Sequence, residues 1–193
     1  MKKFLFFLFL VIPAVSQAQQ QYPWSLTLFG GGAALCDEQG CFGPTGWAAG
    51  GSFGRHMTDR WAFELDVAIA RTNELLPPRV DQFGNFFIPE LQRTRGWGGG
   101  TFLATLGHIG SESDFFVGLG IVGVFERREE ITPPDVFHEP ARNLGLKGGI
   151  AGSAGMNLWL SKNWGIRPEA KFYLTAGSLS GVRYTAGLLR KFD

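Results

Sequence analysis

The segment of residues 60–72, R-W-A-F-E-L-D-V-A-I-A-R-T, constrains the fold more than any other part of the chain. Every odd residue from 61 to 69 is apolar, and the residues between them are small or acidic, including Glu64 and Asp66. Because successive side chains of a β-strand point to opposite faces, this alternation predicts a strand with two unlike faces. A soluble barrel would bury the apolar face, whereas a membrane barrel would turn it to lipid and the carboxylates inward.

A second segment, residues 164–175, alternates in the same way and adds positive charge to its polar face. Opposite charges that face one another inside a narrow barrel would satisfy each other where little water fits. We therefore predict that charged side chains of several strands line a lumen. The predicted lumen charges are Glu64, Asp66, Lys147, Arg167, Glu169 and Lys171.

The first 18 residues have the pattern of a secretory signal peptide. Lys2 and Lys3 precede an apolar run, and S-Q-A at 16–18 is a small-x-small cleavage pattern. The apolar run is about a dozen residues long, whereas a transmembrane helix needs roughly 20. We therefore expect cleavage of residues 1–18 and a mature barrel domain of residues 19–193. Removal of the two lysines changes the formal charge from +1 to −1, which gives no reason to expect a nucleic acid partner.

Glycine is abundant, with 28 of 193 residues, which is about twice the usual share of about 7%. Many of these glycines lie inside apparent strands, where they permit curvature and close approach. No segment after residue 18 has the pattern of a transmembrane helix, so membrane insertion would require a closed β-barrel. The alternation predicts eight strands, at residues 24–35, 45–57, 60–72, 93–107, 114–126, 143–160, 164–177 and 181–192.

The predicted connections alternate between short and long. Short turns fall at 58–59, 108–113 and 161–163, and longer loops fall at 36–44, 73–92 and 127–142. Outer-membrane barrels have this arrangement, with short periplasmic turns and longer external loops. An aromatic residue closely follows each short turn, and we predict that Trp61, Phe115 and Trp164 lie at the membrane interface.

The chain resembles the outer-membrane β-barrel superfamily that includes the OmpA membrane domain and OmpX-like proteins. The resemblance rests on the eight alternating strands, the signal peptide and turn sequences such as M-T-D-R-W and S-K-N-W-G-I-R-P-E. The resemblance covers essentially the whole mature chain and includes no catalytic signature. It implies an all-β fold, an eight-stranded antiparallel transmembrane up-and-down barrel in the cell outer membrane, in contact with outer-membrane lipid and monomeric. In that superfamily the last strand ends in an alternating apolar row with a terminal aromatic residue. Here Arg190 interrupts the row and Asp193 follows Phe192.

The two cysteines lie in C-D-E-Q-G-C, in the first predicted external loop. Export to an oxidising compartment favours a disulfide between Cys36 and Cys41, which would stiffen the loop. Free thiols or a metal site are the alternatives, although two thiols alone are too few ligands for a closed zinc site.

Signals for catalysis or cofactor binding are weak. Residues 118–123, G-L-G-I-V-G, match the dinucleotide fingerprint in letters, but that motif needs a helix after the glycines and here they lie within a strand pattern. Barrels that resemble lipid A deacylases or palmitoyl transferases use a histidine with a nearby serine and an acid. His56, His108 and His138 do not stand in a His-x-Ser pair, and Asp114 near His108 falls at a predicted turn. We therefore predict no enzymatic activity, no cofactor and no metal, with chemistry on outer-membrane lipid as a less favoured alternative.

Two other roles are compatible with the sequence. In the first, the inward charges either plug the lumen or line a narrow porin-like diffusion channel, and the filled interior of an eight-stranded barrel favours the plug. In the second, the external loops 73–92 and 127–142 bind a surface ligand. Loop 73–92 is apolar for an exposed loop, which is typical of contact surfaces, but its F-G-N-F sequence also suits a hairpin tip. We predict a structural or surface-interaction protein, with the channel as the alternative.

Overall fold

The computed structural model describes residues 24–36, 45–81, 83–108, 113–131, 141–175 and 178–192. Its strands are β1 (Trp24–Leu35), β2 (Thr45–His56), β3 (Trp61–Leu75), β4 (Arg79–Val80), β5 (Phe86–Phe87), β6 (Glu90–His108), β7 (Ser113–Ile131), β8 (Arg142–Trp159), β9 (Trp164–Thr175) and β10 (Ser178–Phe192). The eight long strands correspond to the eight predicted segments. The predicted signal peptide, residues 1–18, lies outside the described residues. Within the part of the chain that is described, no helix is long and apolar enough to cross a membrane.

The eight long strands form one closed antiparallel barrel in the order β1-β10-β9-β8-β7-β6-β3-β2, and β4 and β5 form a separate two-stranded sheet. Strand β1 closes the ring, because it pairs with β2 on one side and with β10 on the other, where Trp24 lies opposite Phe192. Closure gives every long strand two hydrogen-bonded neighbours, which is the condition for placing a sheet in hydrocarbon. The predicted all-β barrel is confirmed.

The two faces of β3 show which side of the barrel is apolar. Leu65 and Val67 are 54% and 66% exposed on the outside, whereas Glu64 and Asp66 are 3% and 5% exposed on the inside. This is the membrane-barrel arrangement and the reverse of a soluble barrel. The outer face carries exposed apolar side chains around the ring, among them Leu28, Phe53, Phe102, Leu119, Ile121, Phe172 and Leu188.

Glycines permit close contact between neighbouring strands. A Cβ atom on Gly120 of β7 would lie 2.1 Å from the carbonyl oxygen of Gly100, and one on Gly50 of β2 would lie 2.2 Å from that of Val67. These distances are shorter than any side chain permits, so the backbone geometry requires glycine here. The G-L-G-I-V-G segment therefore lies within a tightly packed strand of the wall, with no helix after it.

Four neighbouring strands extend beyond the rest of the barrel at the end that carries the long loops. Leu75 of β3 pairs with Glu90 of β6, which pairs with Ile131 of β7, while β9 ends at Thr175, opposite Gly149 of β8. We call residues 72–75, 90–94, 127–131 and 142–148 the outer extension. Parts of the predicted loops 73–92 and 127–142 are therefore strand, namely residues 73–75, 79–80, 86–87, 90–92, 127–131 and 142.

Candidate functional site

Four of the predicted lumen charges form two ion pairs across the barrel. Lys171 Nζ lies 2.6 Å from Asp66 Oδ1. Arg167 donates to Glu64 and also, over 2.9 Å, to Asn157 Oδ1. Strands β3 and β9 are four positions apart in the ring of eight, so these pairs join opposite walls of the lumen. The four ionic side chains are at most 6% exposed, and such burial is tolerated because each charge has an opposite partner.

Arg183 of β10 completes this cluster, although it is not among the predicted lumen charges. Its Nη1 lies 3.4 Å from Asp66 Oδ2, its Nη2 lies 3.9 Å from Glu169 Oε2, and its Cζ lies 4.1 Å from the centre of the Phe29 ring. The arginine side chain is 1% exposed. Arg183 stands in sequence between Val182 and Tyr184, which face outward, and this alternation predicts that its side chain faces the lumen. The cluster thus contains three carboxylates, Glu64, Asp66 and Glu169, and three cations, Arg167, Lys171 and Arg183.

Lys147 has the inward register of the predicted lumen charges, because it pairs with Val124, which is 4% exposed in the interior, but it lies above the lumen and outside this cluster. It lies on β8 opposite Val124, in the run of residues 142–148 that is exposed throughout. The physical reason is that β9 ends at Thr175, opposite Gly149. The β8 residues before Gly149 therefore stand in the outer extension, where water solvates the ammonium group.

An apolar plug lies above the charged cluster, toward the long-loop end. The rings of Trp97 and Tyr173 stack with their centres 4.8 Å apart and their planes 15° apart. They are 2% and 0% exposed. Ala33, Ala70 and Val122 belong to the same buried cluster. The two stacked rings therefore occupy an interior that eight strands leave just large enough for side chains.

A second charged group lies above the plug, where β6 and β7 enter the outer extension. Glu126 Oε2 accepts from Arg95 Nε at 2.9 Å, while its Oε1 accepts from Arg128 Nε at 2.6 Å and from Arg93 Nη2 at 3.2 Å. Arg93 and Arg95 are each 4% exposed. The sequence pattern does not predict this group, because these residues fall at the ends of predicted strands, where charge is typical of a loop.

The outer extension carries a hairpin whose tip is fixed by hydrogen bonds. Asp81 Oδ1 accepts from the backbone N–H groups of Phe83 and Asn85 at 2.8 Å, and its Oδ2 accepts from the Asn85 side chain at 2.9 Å. The hydrogen bonds from Asn85 lower the pKa of Asp81. Gly84 takes a φ of 88°, which glycine adopts without steric cost. The hairpin predicted within loop 73–92 is confirmed, and a hairpin of this kind is compatible with a contact surface.

The hairpin is also attached to the barrel. Arg79 Nη1 lies 2.8 Å from Glu130 Oε1 on β7, and the backbone N–H of Leu76 donates to the carbonyl of Pro89 at 2.9 Å. A group of large apolar side chains remains exposed on and beside the hairpin. We call it the loop patch, and it consists of Leu75, Val80, Phe83, Phe86 and Ile88, which are 54–83% exposed.

The predicted interface aromatics lie near the short-turn end. Trp61 and Trp164 are 52% and 41% exposed, and Phe115 is half-buried. Arg190, which interrupts the apolar row of the last strand, places its Cζ 5.0 Å from the centre of the Trp164 ring. An arginine that stacks on an interface aromatic can keep its charge in the headgroup region. The Arg190 guanidinium group can therefore avoid the hydrocarbon although the residue lies in the outward row.

The remaining predicted site residues lie at the two ends of the barrel. Cys36 is buried and disulfide-bonded at the end of β1; Cys41 lies outside the described residues, so the Cys36 to Cys41 pairing stays a prediction. His108 Nδ1 lies 2.5 Å from Asp114 Oδ1, and Asp114 Oδ2 accepts from Trp159 Nε1 at 2.8 Å. Among the residues that the structure describes, no group of three or more His, Cys, Asp and Glu is arranged to hold a metal ion.

Neither a known family profile nor a curated protein matches the chain in sequence. Solved structures do match its fold. Ail, the attachment invasion locus protein of Yersinia pestis, in complex with the heparin analogue sucrose octasulfate, has a TM-score of 0.60 at 10% identity over 90% of this chain and all of that chain. Neisserial surface protein A has a TM-score of 0.60 at 9% identity over 90% of this chain and all of that chain. OprG from Pseudomonas aeruginosa has a TM-score of 0.56 at 13% identity over 91% of this chain and 99% of that chain. The chain therefore has the eight-stranded transmembrane β-barrel fold of small outer-membrane proteins.

Proposed function

We propose that the protein resides in the outer membrane as a closed barrel and acts through its outer extension, as a structural or surface-interaction protein. The loop patch is the observation that carries this proposal. Phe83 and Phe86 are 72% and 83% exposed on a tip that Asp81 holds in place. Exposed apolar patches of this kind are typical of contact surfaces, and a fixed tip reduces the conformational entropy lost on binding.

The extension stands at the end with the long connections, which in outer-membrane barrels faces the outside of the cell. The neighbour Ail was solved with a sulfated ligand, so a barrel of this fold can carry a ligand. In this chain the hairpin exposes several large apolar side chains, and Arg79, which is 51% exposed, is already paired with Glu130. We therefore propose a partner that offers a complementary apolar surface, such as a protein, in place of a sulfated glycan.

The test is binding of vesicles that contain the purified barrel to an array of secreted proteins, surface proteins and glycans. Loss of two aromatic anchors typically weakens an interface by about tenfold or more, so we expect that loss for Phe83→Ser combined with Phe86→Ser. Leu146→Ser is the matched control, because Leu146 is 78% exposed on the same extension but lies outside the loop patch. Equal binding by both variants, or no binding by the parent protein, would contradict the proposal.

The channel remains the alternative, and the Trp97–Tyr173 plug argues against it.

We also propose that the protein acts without catalysis. Support comes from the His108–Asp114 pair, in which both carboxylate oxygens are already engaged, by His108 and by Trp159. This arrangement fits a structural contact at the short-turn end, where one nitrogen of the His108 ring and one of the Trp159 ring contact the same carboxylate.

A further inference from the structure

Three arginines form a row across the inner face of the outer extension. Arg93 of β6 lies directly opposite Arg128 of β7, and Arg128 lies directly opposite Arg142 of β8. Side chains that are directly opposite in an antiparallel sheet share a face, with Cα atoms about 4.5–5.5 Å apart. Arg93 is 4% exposed in the interior, so the whole row has the inward register. We call these three residues the arginine row.

A row of like charges needs anions beside it, because like charges that are directly opposite destabilise a sheet. One carboxylate, that of Glu126, contacts Arg93 and Arg128 of the row and also Arg95 below it. Three guanidinium groups thus share a single carboxylate. Among the described residues, no carboxylate is in ion-pair contact with Arg142.

The other charges of this face do not restore the balance. Lys147 has the same inward register and is exposed. Glu130 is paired with Arg79 of the hairpin. Glu74 of β3 lies opposite Leu91, and β3 is three positions from β8 in the ring. Over the described part of this face, cations therefore outnumber carboxylates.

Donors also exceed acceptors below the arginine row. Arg95 Nη1 and Trp97 Nε1 are buried, and within the described residues neither has a hydrogen-bond partner. Both groups can donate but not accept, and buried polar groups are nearly always paired. The surplus on both sides of Glu126 is therefore one of positive charge and of hydrogen-bond donors.

We propose that the arginine row binds the phosphate group of a soluble molecule. A phosphate group carries about −1.5 to −2 charges and three strong acceptor oxygens, so it supplies both of the things that this face lacks. Guanidinium groups bind phosphate through two parallel hydrogen bonds. A carboxylate would add one charge, and Glu126 already fills that role.

The position of the arginine row explains why the ligand is soluble. The row lies on the inner face, which is turned away from lipid, and it stands above the apolar plug. Arg128 is 38% exposed and Arg142 is exposed, so a ligand reaches them from the solution at the long-loop end. The site is distinct from the loop patch, and the inference shares with the proposed function only the placement of the outer extension in solution.

The first test is calorimetric titration of glucose 6-phosphate into the barrel of residues 19–193 in phosphatidylcholine vesicles, with glucose as the uncharged control ligand. We expect saturable binding that weakens as the salt concentration rises, since salt screens exposed charges. Arg128→Gln combined with Arg142→Gln should weaken binding by about tenfold or more, because charge-assisted hydrogen bonds to the phosphate are lost.

The matched control is Arg71→Gln combined with Arg127→Gln. These two arginines flank Thr94 on the outward face of the same strands, so the control removes the same charge next to the row but not from it. Migration of unheated samples in detergent gels shows that the variants are folded. Equal weakening by both pairs of substitutions, or no binding by the parent protein, would overturn the proposal.

A second variant should improve binding. We expect Glu126→Gln to bind glucose 6-phosphate at least about threefold more tightly, because a carboxylate beside the bound anion repels it. A folded Glu126→Gln variant that binds no more tightly than the parent would contradict the site. Phe83→Ser combined with Phe86→Ser should leave this titration unchanged, so failure of the phosphate site and failure of the loop patch can be told apart.

The lipid in the vesicles tests the source of the phosphate. Vesicles with phosphatidic acid, which has a terminal phosphate group, are compared with vesicles that carry the same negative charge as phosphatidylserine. We expect glucose 6-phosphate to bind equally in both, because the arginine row faces away from the membrane. Competition by phosphatidic acid alone would overturn the soluble source and assign the same phosphate chemistry to a lipid headgroup.

Discussion

At the scale of single residues, the lumen is stabilised by charges that satisfy one another. Asp66 is the centre of this arrangement, because its two carboxylate oxygens contact Lys171 and Arg183. A buried ion pair contributes little net stability compared with apolar residues of the same shape, but removal of one partner leaves an uncompensated charge. The charges in the lumen are therefore interdependent.

We expect Asp66→Asn to lower the free energy of unfolding by about 3–5 kcal/mol, because the buried Lys171 would lose its carboxylate partner and Arg183 would lose one of its two. Urea unfolding in vesicles measures this change. Lys147→Gln is the control, since Lys147 is exposed and surface substitutions usually change stability by less than about 0.5 kcal/mol. Equal stability of the Asp66 and Lys147 variants would exclude the ion-pair account of the lumen.

The outward face has its own residue-scale prediction. We expect Leu65→Arg to cost about 2–4 kcal/mol of stability in a bilayer, because a charged side chain at mid-membrane is exposed to hydrocarbon. Refolding into vesicles over a urea series measures the cost. Leu146→Arg should cost less, because Leu146 lies in the outer extension. A Leu65→Arg variant that is as stable as the parent would mean that the faces are assigned the wrong way round.

At the scale of elements, the hairpin tip is controlled by one carboxylate. Hydrogen bonds from Asn85 lower the pKa of Asp81 below that of an unfolded chain. A depressed carboxyl pKa contributes stability above the unfolded pKa, and this stability is lost as the pH falls through the folded pKa. We expect amide exchange at Phe83 and Asn85, corrected for intrinsic rates, to become faster on acidification through that range. Asp81→Ala should exchange fast already at neutral pH and show no such transition; a parent-like profile for this variant would contradict the assignment.

The strands themselves could be predicted from sequence almost completely, because a lipid-facing row of alternate apolar residues leaves a clear period of two. The prediction is wrong at the outer ends of β3, β6 and β7. There the strands leave the membrane, so the alternation of apolar residues ends although the pairing continues. For this reason the sequence pattern does not predict the group of Arg93, Arg95 and Glu126. It also does not reveal where β9 stops, and so it does not show that Lys147, on the inner face, lies above the lumen.

At the scale of the whole molecule, the barrel has a wall that faces lipid, a filled interior and one end built up into an extension. The interior contains a balanced set of buried charges and, above it, the stacked Trp97 and Tyr173 rings. These features together leave the outer surface, and not the lumen, as the part that can act on other molecules. The central claim is therefore that the lumen is closed.

Single-channel conductance tests this claim most directly. The refolded chain of residues 19–193 is inserted in a planar bilayer, with slow migration in unheated detergent gels as the control that the barrel has folded and an open porin as the control that the bilayer detects channels. We predict a folded and silent barrel, because the aromatic plug and the paired charges fill the interior. Steady, discrete conductance steps from the folded protein would contradict the account and would make the inward charges the lining of a diffusion channel.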